Sequence, residues 1–281
     1  MRLTIWGCRG SVPTPGAETV RYGGNTSCVE VALDDGAVLV LDAGTGIRRL
    51  GQELLKRGTF RLYLLLTHLH LDHLEGLRFF DPLWDKRVTI DIWGPPSPVS
   101  SLRERIARSF SPPLFPVDLR DVPARVAFHD VPRKPWTIEG ASLAASLVVH
   151  PGPTVGFRIE TDGSTFAYIP DHEPALAGAI PARPKDWLSG GSIAEGVDLL
   201  LHDAQYSEEE YQQRIGWGHS SVADAVAFAK AVDAQRLLLF HHEPLHNDGS
   251  LDLLEDRARE LAGSNGLGPT LAREGMVVRL P

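Results

Sequence analysis

Apolar positions along the chain change period several times, and each change predicts an element. Leu3 to Trp6 alternates and breaks at Gly7, which reads as a first strand. Val29 to Leu33 and Val38 to Leu41 are two β-rich runs joined by Asp34-Asp35-Gly36, the signature of a hairpin. At Ile47 the spacing becomes helical. Ile47, Leu50 and Leu54 share a face, and the helix predicted over Ile47 to Arg57 stops at Gly58. Leu62 to Leu66 is apolar throughout, as in a strand buried on both sides.

The same reasoning predicts a strand at Val88 to Trp93 and a helix around Leu102 to Phe110. Ser111 to Pro135, rich in proline and charge, fits neither period. Three consecutive strands follow, at Leu143 to Val149, Val155 to Glu160 and Ser164 to Ile169. Gly178 to Gly191 reads as a loop and Val197 to Leu201 as a buried strand. An Ala-rich helix at Ser220 to Val232, a strand at Arg236 to Phe240, a helix at Leu251 to Gly263 and a last strand within Arg273 to Leu280 complete the order. Strands and helices alternate twice, with antiparallel signals in each half and neither a repeat nor a linker between them. That pattern predicts one α/β domain over residues 1–281, with two sheets and helices outside.

Composition narrows this picture. With 43% hydrophobic and 23% charged residues, the chain has the make-up of a protein with a full core. Lys and Arg number 28 against 36 Asp and Glu, a net charge of −8, which argues against a broad nucleic-acid-binding face while leaving room for a local basic patch. The two cysteines, Cys8 and Cys28, have no partner at metal-ligand spacing, so a reducing compartment is expected. No apolar run approaches the ~20 residues that span a bilayer, and the opening MRLTIWGCRGS has no long apolar stretch. A cytoplasmic protein without a membrane partner is the expectation.

Candidate chemistry is concentrated in Thr67-His68-Leu69-His70-Leu71-Asp72-His73, directly after a predicted buried strand. Imidazole suits Zn, Mn and Fe, and carboxylate suits harder cations. A loop followed by a helical turn directs the first two histidines at one ion and the Asp-His pair at a second. This H-x-H-x-D-H run resembles the signature of the metallo-β-lactamase superfamily, and the resemblance covers nearly the whole chain. Leu41 to Gly46 looks like the superfamily's strand-ending aspartate turn, with Asp42 supporting rather than ligating. Val149 to Gly156 looks like its second motif, Ile169-Pro170-Asp171 its third, and Leu239-Phe240-His241-His242 its last.

The resemblance implies an αββα sandwich of two mixed sheets and two divalent ions, Zn, Mn or Fe. It implies His68, His70 and His150 on one ion, Asp72, His73 and His241 on the other, and Asp171 bridging them. His241 and His242 compete for the last position, since adjacent strand residues point to opposite faces; the motif order favours His241. Asp198 to Gln205 and Gly218-His219-Ser220-Ser221 resemble motifs of ribonuclease Z and its phosphodiesterase relatives, with Asp203 where that family has Glu. By that likeness the catalytic set is Asp72, Asp203 and His219, with His219 acting at the leaving oxygen and Asp203 orienting it.

For the substrate, the same likeness implies a small phosphodiester such as a cyclic nucleotide. His150 and Asp171 are only 21 positions apart (171 − 150), too close for the long arm with which bacterial ribonuclease Z relatives hold tRNA. The alternatives are a ribonuclease Z-like RNA endonuclease and a lactone or thioester hydrolase. A non-catalytic metal-binding accessory protein is disfavoured, because every ligand position is filled. A homodimer is expected for this branch. Arg21 to Ser27 is a candidate border of the site or a simple turn, His246 a residue of a dimer contact, the pocket rim or the surface, and Phe110, Phe115 and Trp217 candidates for stacking a base, with core packing the favoured role for each.

Overall fold

The computed structural model describes every residue except 179, 181–183, 185, 186 and 265. The predicted hairpin forms between β2 (Cys28–Ala32) and β3 (Val38–Leu41), which pair antiparallel. It lies within a sheet whose order is β14 (Val277–Arg279), β1 (Arg2–Gly7), β2, β3, β4 (Arg61–Leu65), β5 (Thr89–Gly94) and β6 (Arg125–Asp130). From β3 to β6 the strands run parallel. The second sheet has the order β13 (Thr270–Leu271), β12 (Leu237–Phe240), β11 (Leu199–Asp203), β10 (Ser164–Ile169), β9 (Val155–Thr161), β8 (Ala141–Leu147) and β7 (Trp136–Ile138). Its strands β10 to β13 are parallel and the others antiparallel.

The sheets face one another. Leu3, Ile5, Val29, Leu39, Leu41 and Leu65 of the first meet Phe157, Phe166, Tyr168, Leu201 and Phe240 of the second in one buried layer. Alternate residues of the same strands point outward and are buried again. Val38, Val40 and Leu64 lie under α1 (Ile47–Lys56), while Ile90 and Ile92 lie under α2 (Leu102–Ala107). On the far side Ala167, Leu200 and Leu239 lie under α5 (Val222–Ala231) and α6 (Asp248–Ala262). This is the αββα sandwich expected from the sequence. Continuous apolar runs such as Leu62 to Leu66 follow from burial on both faces.

Three expectations needed revision. The unassigned stretch before Pro135 contains β6, an edge strand paired only with β5, whose side chains are half-exposed and so show no clean alternation. The helix predicted to reach Phe110 ends at Ala107, its start fixed by a capping box between Ser101 and Glu104. The strand predicted within Arg273 to Leu280 is β14, which joins the first sheet; the two-residue β13 just before it, which closes the second sheet, was not foreseen. The five-residue helix α4 (Glu208–Gln212) was too short to show a period. Much of the loop expected at Gly178 to Gly191 lies outside the described residues; its end opens the short helix α3 (Gly191–Ala194).

Candidate metal centre

Parallel strands deliver their carboxyl ends to one edge of the sandwich, and nearly every singled-out residue sits there. Asp42 follows β3, the histidine run follows β4, Asp171 follows β10, Asp203 ends β11 and His241 follows β12. His150 comes from the β8–β9 connection and His219 from the turn before α5. The structure groups His68, His70 and His150 in one set and Asp72, His73, Asp171 and His241 in another. Asp171 lies between them: its Oδ2 is 3.7 Å from Nε2 of both His68 and His150, and 3.3 Å from His241 Nε2. Its Oδ1 is 3.0 Å from His73 Nε2.

The surroundings decide which ring nitrogen of each histidine is free. His73 Nδ1 donates to Asp42 at 2.8 Å, His150 Nδ1 to the Gly218 carbonyl at 2.8 Å, and His241 Nδ1 to Gln205 Oε1 at 3.1 Å. His68 Nδ1 is 3.0 Å from Thr67 Oγ1, whose hydroxyl donates to Asp42. In all four the Nε2 lone pair turns inward, the tautomer that metal-bound histidine adopts when its other nitrogen is held by an acceptor. His70 Nδ1 faces His150 Nε2 at 3.2 Å. Converging lone pairs have no protons to share, and the buried His68 Nε2 and Asp171 Oδ1 have no hydrogen-bond partner. A donor set of imidazoles and carboxylates with orphaned inward atoms fits divalent cations.

Charge tells the same story. Burial would raise Asp171, but His241, His73 and His68 hold it well below the usual carboxylate range. Burial would lower His73, yet Asp171, Asp72 and Asp42 push it well above an ordinary imidazole. A proton and a cation thus compete for the same nitrogen.

Beside these sets lies the second constellation. His219 Nδ1 is 2.7 Å from Asp203 Oδ2, so the shorter aspartate reaches its histidine. Asp203 is fixed by the backbone amides of His172, Gln205 and Ser220. The His219 ring stacks on His241 with centroids 4.7 Å apart. Burial lowers the His219 pKa, but Asp203, with Asp171 and Asp72 behind it, overcomes this and holds it at about 9. The pairing thus biases His219 toward its protonated form.

Backbone geometry aims these side chains. His241 has φ of 64°, a left-handed conformation that turns it out of β12 toward the cluster. His242 points the other way, with Nε2 on the Ala272 carbonyl and its ring edge against Tyr22. Two glycines permit the close approach. A Cβ on Gly10 would lie 2.4 Å from His241 Nδ1, and one on Gly218 would lie 2.5 Å from His150 Nδ1.

Other candidates fall elsewhere. His246 is neither a surface residue nor part of the cluster: it is buried and paired with Glu210 at 3.0 Å. Phe110 and Phe115 pack with each other and with the layer under the first sheet, whereas Trp217 is 62% exposed beside His219. The Gly-Gly-Asn-Thr-Ser stretch braces the turn after Asp42, through the Thr45 amide bonded to Thr26 Oγ1 at 2.8 Å. Sequence reasoning missed the groups that hold the site. Ser11 donates its amide to Asp72 at 2.8 Å. Gln205 links His241 to Glu243. The buried Glu173 accepts from the amides of Gly216 and Gly218, fixing the loop that carries His219. Backbone donors carry no residue signature, so only Gln205, inside the segment already quoted, was discoverable.

Comparison with known proteins agrees with the geometry. Residues 38–242 match the family model described as a beta-lactamase superfamily domain. A protein from Haloarcula marismortui named Ribonuclease Z is 29% identical over 318 aligned positions, covering 100% of this chain and 97% of the relative. Among solved structures, the metallo-beta-lactamase fold protein YhfI from Bacillus subtilis superposes with a TM-score of 0.71 at 19% identity, covering 99% of this chain and 98% of its own. The short form of human tRNase Z superposes with a TM-score of 0.67 at 22% identity, with both chains fully covered. No helix among the described residues is long and apolar enough to cross a membrane. By its family match and its layered fold, the chain belongs to the beta-lactamase superfamily, as a metal-dependent hydrolase of the metallo-β-lactamase fold.

Proposed function

We propose that the chain hydrolyses a small phosphodiester. His68, His70 and His150 would hold one divalent ion and Asp72, His73 and His241 a second, with Asp171 shared between them. Zn, Mn and Fe all suit this donor set. Two such ions supply Lewis-acid polarisation of the phosphoryl oxygens. The observation that carries the proposal is the 2.7 Å pair of Asp203 and His219 beside that set. An alkoxide is a poor leaving group unless a proton reaches it as the P–O bond breaks. His219, kept cationic by Asp203, is placed to give that proton, and Asp72, fixed by the Ser11 amide, completes the catalytic group. A thioester has a better leaving group and needs no such acid.

A small substrate is favoured by the cleft of about 520 Å³ that borders His68 and His70, within the range of small-molecule sites. The overall charge of −8 also disfavours a polyanion. RNA cleavage is the second reading, supported by the Haloarcula marismortui relative, although that alignment is longer than this chain and so carries insertions absent here.

The test is turnover of 2′,3′- and 3′,5′-cyclic nucleotides, bis-p-nitrophenyl phosphate and a tRNA precursor with a 3′ trailer, with Mn or Zn, beside His219→Ala. Cyclic-nucleotide turnover should fall roughly 10²–10⁴-fold in the variant. Bis-p-nitrophenyl phosphate should lose far less, because an aryloxide departs without a proton. Faster cleavage of the precursor than of any cyclic nucleotide moves the assignment to RNA. Absence of turnover of every diester by protein with two bound ions removes the phosphodiesterase assignment.

A further inference from the structure

The cleft beside the candidate ions has a polarity that the hydrolysis itself does not require. It is lined by His68 and His70, by exposed leucines such as Leu71 and Leu114, and by Arg105 and Arg108. Apolar walls are ordinary for a small-molecule site, but two arginines in one cleft are not. They stand three positions apart at the end of α2, where residues of like charge are neighbours and repel.

Their acidic surroundings offset only one of them. Between residues 95 and 115 the only acid is Glu104, engaged by Ser101 in the helix cap. Arg105 is 13% exposed, donates from Nη2 to the Pro95 carbonyl at 2.6 Å, and forms a 3.8 Å ion pair with Asp130. Its buried Nε has no partner. Arg108 is exposed, and among the described residues no carboxylate lies within ion-pair distance of it. In a chain of net charge −8, Arg108 is thus a local positive charge without an acidic partner among the described residues.

We propose that Arg108 binds a second anionic group, so that the substrate is a small phosphodiester whose retained arm is apolar and ends in a phosphate. The deduction rests on the phosphodiesterase reading above. His219 is not among the cleft's lining residues, so the leaving group lies toward His219 and the substituent in the cleft is the one that stays on phosphorus. Arg is suited to this role, because its planar fork matches phosphate oxygens in pairs.

Thymidine 5′-(p-nitrophenyl phosphate), with and without a 3′-phosphate, isolates the second charge. In the wild-type protein the 3′-phosphate should raise kcat/KM at least ~10-fold, mainly through KM. Arg108→Ala should abolish that advantage, read as the ratio of kcat/KM for the two esters within each variant, and Arg108→Glu should reverse it. Equal turnover of the two esters by the wild type, or an advantage surviving in Arg108→Ala, overturns the proposal and leaves phosphodiester hydrolysis standing. Turnover of neither ester nor any other diester removes the function and the proposal together.

Binding to metal-free protein provides a readout independent of activity. Thymidine 3′,5′-bisphosphate should bind at least ~10-fold more tightly than the 5′-monophosphate, and Arg108→Ala should equalise them. A thymidine decanucleotide that binds ~10-fold more tightly than the bisphosphate overturns the small-molecule source of the second phosphate.

Discussion

Each inward-facing imidazole owes its orientation to a neighbour that is itself no ligand. Gln205 is the clearest case. Its carbonyl oxygen accepts from His241 Nδ1 while its amide donates to Glu243, so the amide cannot flip without losing both bonds. Gln205→Leu should therefore lower affinity for the ion at His241 roughly 10- to 100-fold by metal titration, with the fold intact by circular dichroism. His219 depends on Asp203 in the same way, through charge. With a pKa of about 9 it is protonated below that pH, so proton donation is available at neutral pH and is lost as pH rises through 9. In Asp203→Asn the raising charge is gone while the lowering effect of burial remains. The basic limb of kcat for a cyclic nucleotide should then move toward neutral pH, and an unmoved limb would argue against His219 as the acid. At Gly218, φ is 93° and an added Cβ meets His150. Gly218→Ala should cost the first ion more than the second, measurable as a drop in bound metal before any loss of secondary structure.

Elements differ in how much of themselves they show in sequence. The histidine run after β4 was legible because four donors lie within six residues, so no tertiary information is needed. His150, Asp171 and His241 are far apart and became legible only through their order. What unites them is that β8, β10 and β12 all present carboxyl ends at one edge. The strands with continuous apolar runs were readable because both faces are buried. β6 was not, because an edge strand beside proline-rich chain has only one neighbour and half-exposed side chains. The supporting contacts from Ser11, Gly216 and Gly218 were unreadable for a different reason: they use backbone amides, which every residue except proline carries. Glu173 is the side chain that exposes this layer. Glu173→Gln removes the charge that accepts two amides and the Tyr211 hydroxyl, and should loosen the loop carrying His219. We expect kcat to fall roughly 10-fold while metal content is unchanged, a split that separates loop positioning from ligation.

At the scale of the molecule, the two candidate ion sites draw on both sheets. His68, His70, Asp72 and His73 hang from the first, and His150, Asp171 and His241 from the second. Ions bound there would therefore act as cross-links over the open rim of the sandwich, where the apolar layer between the sheets ends. Cohesion between the halves becomes a function of the ion concentration in solution: at a free concentration a thousandfold above the dissociation constant, binding contributes about 4 kcal/mol to the folded state. Chelation should lower the melting temperature and speed amide hydrogen exchange in the turns after β4 and β10 together. The catalytic edge is in that sense also a seam, and a cell that withholds the ions would weaken the joint as well as stop the chemistry.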